Sequence, residues 1–156
     1  MARKVHLRIW NSAAFLKRTW DDGAAYCDRL GGELLVIETS EENEFIYGIL
    51  KNQTKTWAWL GCSDRSTEGT WLCYAAASDL PFENWATGQP NNANGNDHCL
   101  AFHNTDGMWS DSKCDAQLVH TVCETTSIQE DEGVTPSSSA TPMACYTLGS
   151  DGRLRV

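Results

Sequence analysis

Seven cysteines are spread along this chain of 156 residues, six between Cys27 and Cys123 and the seventh at Cys145. None sits in the Cys-x-x-Cys pair that zinc ligand sets usually show. The pattern is that of a disulfide framework, which constrains the fold and requires an oxidising compartment. Six cysteines allow 15 pairings, and spacing alone leaves them open. The start, Met1-Ala2-Arg3-Lys4-Val5-His6, is charged with no apolar stretch behind it, so no secretory signal is visible, although the cysteines point to a secreted or extracellular protein.

With 41% apolar residues, seven of the 156 being Trp, the chain is sized for one globular domain carrying a tail. Its longest apolar stretches, 34–37 and 71–77, fall far short of the roughly 20 residues that cross a bilayer, so no membrane span is expected. Residues 1–18 hold five bases and no acid, whereas 19–124 hold five bases against 17 acids. So acidic a domain is a poor partner for nucleic acid, whose binding rests on basic patches.

Thr19 followed by Asp21 and Asp22 reads as a helix start, and Gly31-Gly32 as its stop. Trp20, Ala24, Cys27 and Leu30 then share one face. Thr39-x-x-Glu42 is a capping box opening a second helix through Phe45, Ile46, Ile49 and Leu50 to about Asn52. Between the helices, 34–37 reads as a short buried strand. From Trp57 on, the pattern is short strands at 57–62, 69–74, 100–103, 107–109 and 119–123. A polar connection, 78–98, separates the second from the third, and its length marks it as functional. Val5, Leu7 and Ile9 alternate as a strand does, in an amino-terminal segment, 1–14, of uncertain status. Residues 125–142 are rich in Ser, Thr, Pro and acids and read as a linker or O-glycosylated stalk within a tail, 125–156, whose last stretch reads as an unstructured remnant.

The region 89–123 gathers Gln89-Pro90-Asn91-Asn92, Asp97 and Trp109-Ser110-Asp111 among the cysteines. Oxygen-bearing side chains on crosslinked loops suit a hard cation such as Ca²⁺. Together with the two helices, Trp59-Leu60-Gly61, Gly69-Thr70-Trp71, Asn84-Trp85 and the order Cys27, Cys99, Cys114, Cys123, these motifs resemble the C-type lectin-like domain family over 15–124. The resemblance implies an α+β fold of two helices, small antiparallel sheets and a long, disulfide-anchored ligand loop. It further implies the bridges Cys27–Cys123 and Cys99–Cys114, leaving Cys62 to pair with Cys73. Closing the longest loop would contribute about 4 to 5 kcal/mol in the chain-entropy view.

By the same resemblance, Gln89, Asn91, Asp97, Ser110 and Asp111 would hold Ca²⁺, and Gln89, Asn91, Asp97 and Ser110 would also bond two vicinal sugar hydroxyls. The peptide before Pro90 would be cis. An auxiliary Ca²⁺ would draw on Asp64, Glu68, Asn92 and Asp97. The chain departs from the family's pattern at three points. Ser110 stands for an Asn and cannot bridge ion and sugar as an amide does. Gln89 and Asn91 are both amides, whereas Glu with Asn marks mannose-type and Gln with Asp galactose-type selection, so the glycan class stays undecided. His98 replaces an acid beside Asp97, and an imidazole is a poor Ca²⁺ ligand.

The remaining candidates read as structural. Trp20, Trp59, Trp71, Trp85 and Trp109 are expected in the core. Asn52-Gln53-Thr54 is a glycosylation sequon, and Cys145 is the odd cysteine, available for a disulfide-linked oligomer. The expected function is Ca²⁺-dependent glycan binding without catalysis. Its rival is a Ca²⁺-independent relative binding a protein partner or ice through the same surface. A hydrolase would need a free thiol near His98 or His120.

Overall fold

The computed structural model describes residues 6–9, 18–52, 57–74, 79–117, 120–125, 145–148 and 154–155. Its elements are β1 (His6–Ile9), α1 (Trp20–Arg29), β2 (Glu33–Leu34), α2 (Ser40–Leu50), β3 (Trp57–Ser63), β4 (Leu72–Cys73), β5 (Cys99–His103), β6 (Trp109–Ser112), β7 (His120–Thr125), β8 (Cys145–Leu148) and β9 (Leu154–Arg155). The sheet runs β6-β5-β3-β7-β1-β8-β9, with β2 on β7 and β4 on β3. Strands β3 and β7 run parallel, and the other pairs are antiparallel.

Both helices start where their caps dictate. Thr19 accepts the amide of Asp22 at 3.1 Å, and Thr39 accepts that of Glu42 at 3.1 Å. Glu42 reaches back one residue beyond the cap, to the Glu38 amide at 2.8 Å, so two otherwise orphaned donors are satisfied. Gly31, at φ 72°, ends the first helical run, its neighbour Gly32 donating to the Cys27 carbonyl.

Strict alternation along β3 and β5 splits the core in two. Ala58, Leu60, Leu100 and Phe102 meet Ile46 and Leu50 of α2, with Trp109 among them. Trp59 and Ala101, on the opposite face, meet Trp20, Cys27 and Leu34. Trp71 and Trp85 also pack against the first cluster. Trp57, by contrast, is 40% exposed.

The three disulfides are Cys27–Cys123, Cys62–Cys73 and Cys99–Cys114, as the resemblance implied. Several strand boundaries differ from the sequence reading. Of the apolar run 34–37 only Leu34 belongs to a strand, because beyond it the bonds leave the β7 ladder: the Leu35 amide still donates to the Val122 carbonyl at 2.9 Å, but its carbonyl accepts the Gly61 amide of β3 at 2.8 Å and the Val36 amide goes to the Glu124 side chain. A side chain at Gly61 would collide with the main chain of Leu34, hence the glycine after Trp59-Leu60. Residues 107–109 are mostly turn, with Gly107 at φ 75°, and the strand there begins at Trp109. The tail read as a remnant carries β8, antiparallel to β1, and β9, antiparallel to β8. The stalk-like stretch 126–144, Trp10 and the sequon residues Gln53 and Thr54 lie outside the described residues, as does the side chain of Cys145.

On β7, Glu124 accepts the Val36 amide at 3.0 Å and is pushed up to about 7, first by burial and then, against that hydrogen bond, by the charges of Glu42, Glu38 and Glu33. The folded state therefore binds this proton more tightly than the unfolded chain, and stability falls as pH rises from about 4.5 to 7, where the loss levels off. We expect urea denaturation to register a decline of about 3 kcal/mol across that window. Glu124→Gln should flatten this decline and exceed the wild type in stability at pH 8.

Candidate functional site

The loop before β5 is fastened to β6. The Trp109 amide donates to the Asn84 carbonyl at 2.9 Å, and the Ala86 amide to the Trp109 carbonyl at 2.8 Å. The Trp109 indole donates to Asn43 Oδ1 of α2 at 2.8 Å, while Asn43 and Asn84 both donate to the Gly107 carbonyl. With Trp109 fixed, Asp111 two residues on stands beneath the loop crest, 6% exposed. Its carboxylate accepts the Asn91 amide at 3.1 Å and the amide of Asn92. These charge-assisted bonds hold Asn92 in the left-handed region at φ 41°.

Around that centre, Asn91 Oδ1 accepts the Ala93 amide at 3.0 Å in a tight side-chain turn. Asn92 Oδ1 accepts the Asp97 amide at 3.0 Å. The Gln89–Pro90 peptide is cis. Gln89 Oε1 is buried without a hydrogen-bond partner. A carbonyl-type oxygen in that condition costs free energy unless something completes it, and a cation is one such group. The Asp97 carboxyl is raised by partial burial first and by the charge of Asp111 second. The charges of Asp97 and Asp111 thus act on one another, and Gln89 adds an uncompensated amide oxygen in the same loop; oxygen donors of these kinds are the ones Ca²⁺ takes.

Ser110 lies elsewhere. On β6 it alternates with Asp111, and its hydroxyl is bonded to His103 Nε2 of β5 at 2.8 Å, with Ser110 only 2% exposed. Trp57 stacks on that imidazole, ring centres 4.5 Å apart. The family resemblance implied Ser110 among the ligands; strand alternation and the histidine instead give its hydroxyl a bond between strands. His103, lowered by burial first, is opposed by Asp106, 3.9 Å from its Nδ1. The buried Ser110 hydroxyl is closed to a substrate. A Cys/His nucleophile is overturned as well, because Cys99 and Cys123, beside His98 and near His120, are in disulfides.

The auxiliary position assembles differently from the expectation. Asp64, Glu68 and His98 bring one ligand atom each within 4.8 Å of the others. Asn92 Nδ2 donates to Glu68 Oε2 at 2.6 Å, so Asn92 presents its amide nitrogen to that carboxylate while its oxygen serves Asp97. The sequence reading set His98 aside as a ligand. The turn 63–69 folding back onto β5 was the missing information.

The Lectin C-type domain profile matches residues 16–125. The chain belongs to the C-type lectin domain family. Perlucin from Haliotis laevigata is 34% identical over 112 residues, 70% of this chain and 71% of that protein. The mouse scavenger receptor C-type lectin carbohydrate-recognition domain superposes with a TM-score of 0.68 at 23% identity, covering 81% of this chain and 91% of the other. A calcium-independent type II antifreeze protein does so at 0.64 and 23%, covering 82% and 90%. This C-type lectin domain is a binding module and not an enzyme.

Its loop depends on one carboxylate. Asp111→Ala should cost about 2 kcal/mol in denaturation, because two main-chain donors lose a charged acceptor. Hydrogen exchange should show faster exchange at the amides of Asn91 and Asn92, with the α1 amides unchanged.

Proposed function

We propose that this C-type lectin domain is a secreted, Ca²⁺-dependent glycan-binding module. The observation that carries the reading is the buried, unpartnered Gln89 Oε1 in the loop whose crest is tied to Asp111. Gln89, Asn91, Asp97 and Asp111 would hold the ion. Bound there, Ca²⁺ supplies open coordination positions that two vicinal hydroxyls of a mannose- or galactose-type sugar can fill. Asn91 is exposed at the rim, where its amide can both donate to and accept from those hydroxyls. Asp111 supports the crest from below through the amides it accepts. Three disulfides support secretion, and among the described residues no helix is long and apolar enough to cross a membrane.

One observation favours a second reading. Asp111 already satisfies the loop's amides, and Ser110 is taken by His103, so the loop has a hydrogen-bonded form that needs no ion. A Ca²⁺-independent domain recognising a protein partner would look like this, and the antifreeze neighbour shares the fold.

With only two charged ligands, Ca²⁺ affinity should lie near 10⁻⁴ to 10⁻³ M, the order typical of extracellular modules. Ca²⁺ at 10 mM would then stabilise the fold by about 1.4 to 2.7 kcal/mol, raising the Tm by several degrees. Binding on a glycan array should vanish with EDTA and in Asn91→Ala. An array with no signal that EDTA abolishes, together with no Ca²⁺-induced rise in Tm, would overturn the Ca²⁺-dependent reading and favour the ion-free one.

A further inference from the structure

We propose that Asp64, Glu68 and His98 form a site for a borderline divalent ion of the Zn²⁺ class, in place of the auxiliary Ca²⁺ that the family resemblance implies. The donor set itself disagrees with Ca²⁺, which takes six to eight oxygens, whereas two carboxylates and an imidazole are a zinc ligand set.

The spacing agrees with that chemistry. His98 Nδ1 lies 3.0 Å from Asp64 Oδ1 and 3.3 Å from Glu68 Oε2. Ligand atoms about 2.0 to 2.2 Å from a tetrahedral ion lie about 3.3 to 3.6 Å from one another, so a small outward shift seats the ion on this triangle. One ring nitrogen faces both carboxylates. A single N–H cannot point straight at two acceptors, whereas one ion can be bound by all three atoms.

The scaffold holds two of the three donors before any ion arrives. The Asp64 amide donates to the His98 carbonyl at 3.1 Å, and His98 donates to the Ser112 carbonyl at 3.1 Å. Asp64 follows Cys62 by two residues and His98 precedes Cys99, so a disulfide anchors each segment. Asp64 is 2% exposed, and its second oxygen accepts the Gly69 amide at 2.9 Å, which fixes the plane of the carboxylate and leaves Oδ1 facing His98. Glu68 is the exposed member, its side chain 57% accessible, and marks the route by which an ion and a completing water would enter.

This assignment is independent of the glycan reading, since it concerns a different set of donors and is measured without sugar. The experiment is calorimetric titration of ZnCl₂ into the disulfide-intact, chelator-stripped protein in a background of 10 mM Ca²⁺, with thermal melting in parallel. We expect one equivalent of Zn²⁺ to bind despite the Ca²⁺ and to raise the Tm further. His98→Ala should weaken Zn²⁺ at least tenfold, while His103→Ala should leave it unchanged. His98→Asp, which restores an all-oxygen set, should lose the Zn²⁺ preference. Competition by Ca²⁺ that removes the Zn²⁺ signal, or affinity unaltered in His98→Ala, would overturn the proposal. Absence of Zn²⁺ binding would also overturn it and leave His98 as a hydrogen-bonded partner of the two acids.

Discussion

Past Leu80, Phe82 and Trp85, which pack on the core, the ligand loop is polar and has to be held from outside, and here a buried indole holds it. Trp109, 1% exposed, donates to Asn43 of the second helix and exchanges main-chain bonds with Asn84 and Ala86. Remove that anchor and Asp111 no longer has a fixed position from which to hold Asn91 and Asn92. The disulfides act in the same direction. Cys99–Cys114 closes the β5–β6 hairpin from below, and Cys27–Cys123, 96 residues apart, ties the first helix to β7. Loop precision is thus borrowed from a core that lies elsewhere.

The two cation positions are joined through Asn92, which belongs to neither donor set. Glu68 accepts from Asn92, whose main-chain amide donates to Asp111 and whose side-chain oxygen accepts from Asp97. A charge placed at Asp64, Glu68 and His98 is therefore one hydrogen bond from the crest of the loop and two from Asp97 and Asp111. Such a contiguous polar network is the physical route by which occupancy of one position can bias the geometry of the other.

Much of this frame was legible in the residues. Thr19 and Thr39 are strong caps, the tryptophans at 20, 59, 71 and 109 mark the core, and the motif order gave the family and the disulfide pairing. Elements that depend on a distant partner were not legible. Residues 34–37 look like a strand because they are apolar, yet only folding decides that their bonds divide between β7 and β3. β8 and β9 follow a stretch too polar to announce them, and they exist by adding in turn, β8 to β1 and β9 to β8. Ser110 shows the limit most clearly: the resemblance implies a ligand role beside Asp111, but the alternation of β6 points its hydroxyl at His103. His98 was judged by residue type alone, and only the backfolded 63–69 turn gives it two carboxylate neighbours.

The strand carrying Asp111 is also the last in the sheet on its side, β6 having β5 as its one full neighbour. An open strand margin invites another chain to pair with it. Asn84 and Ala86 cover that margin at Trp109, where Trp85 forms a parallel bridge. One segment thus serves two purposes. Its first few residues act as a selvage that keeps copies of the domain from zipping together, while the remainder, 87–98, is free to change its chemistry. Substitutions in that second part can then alter what the loop offers a ligand without baring the border.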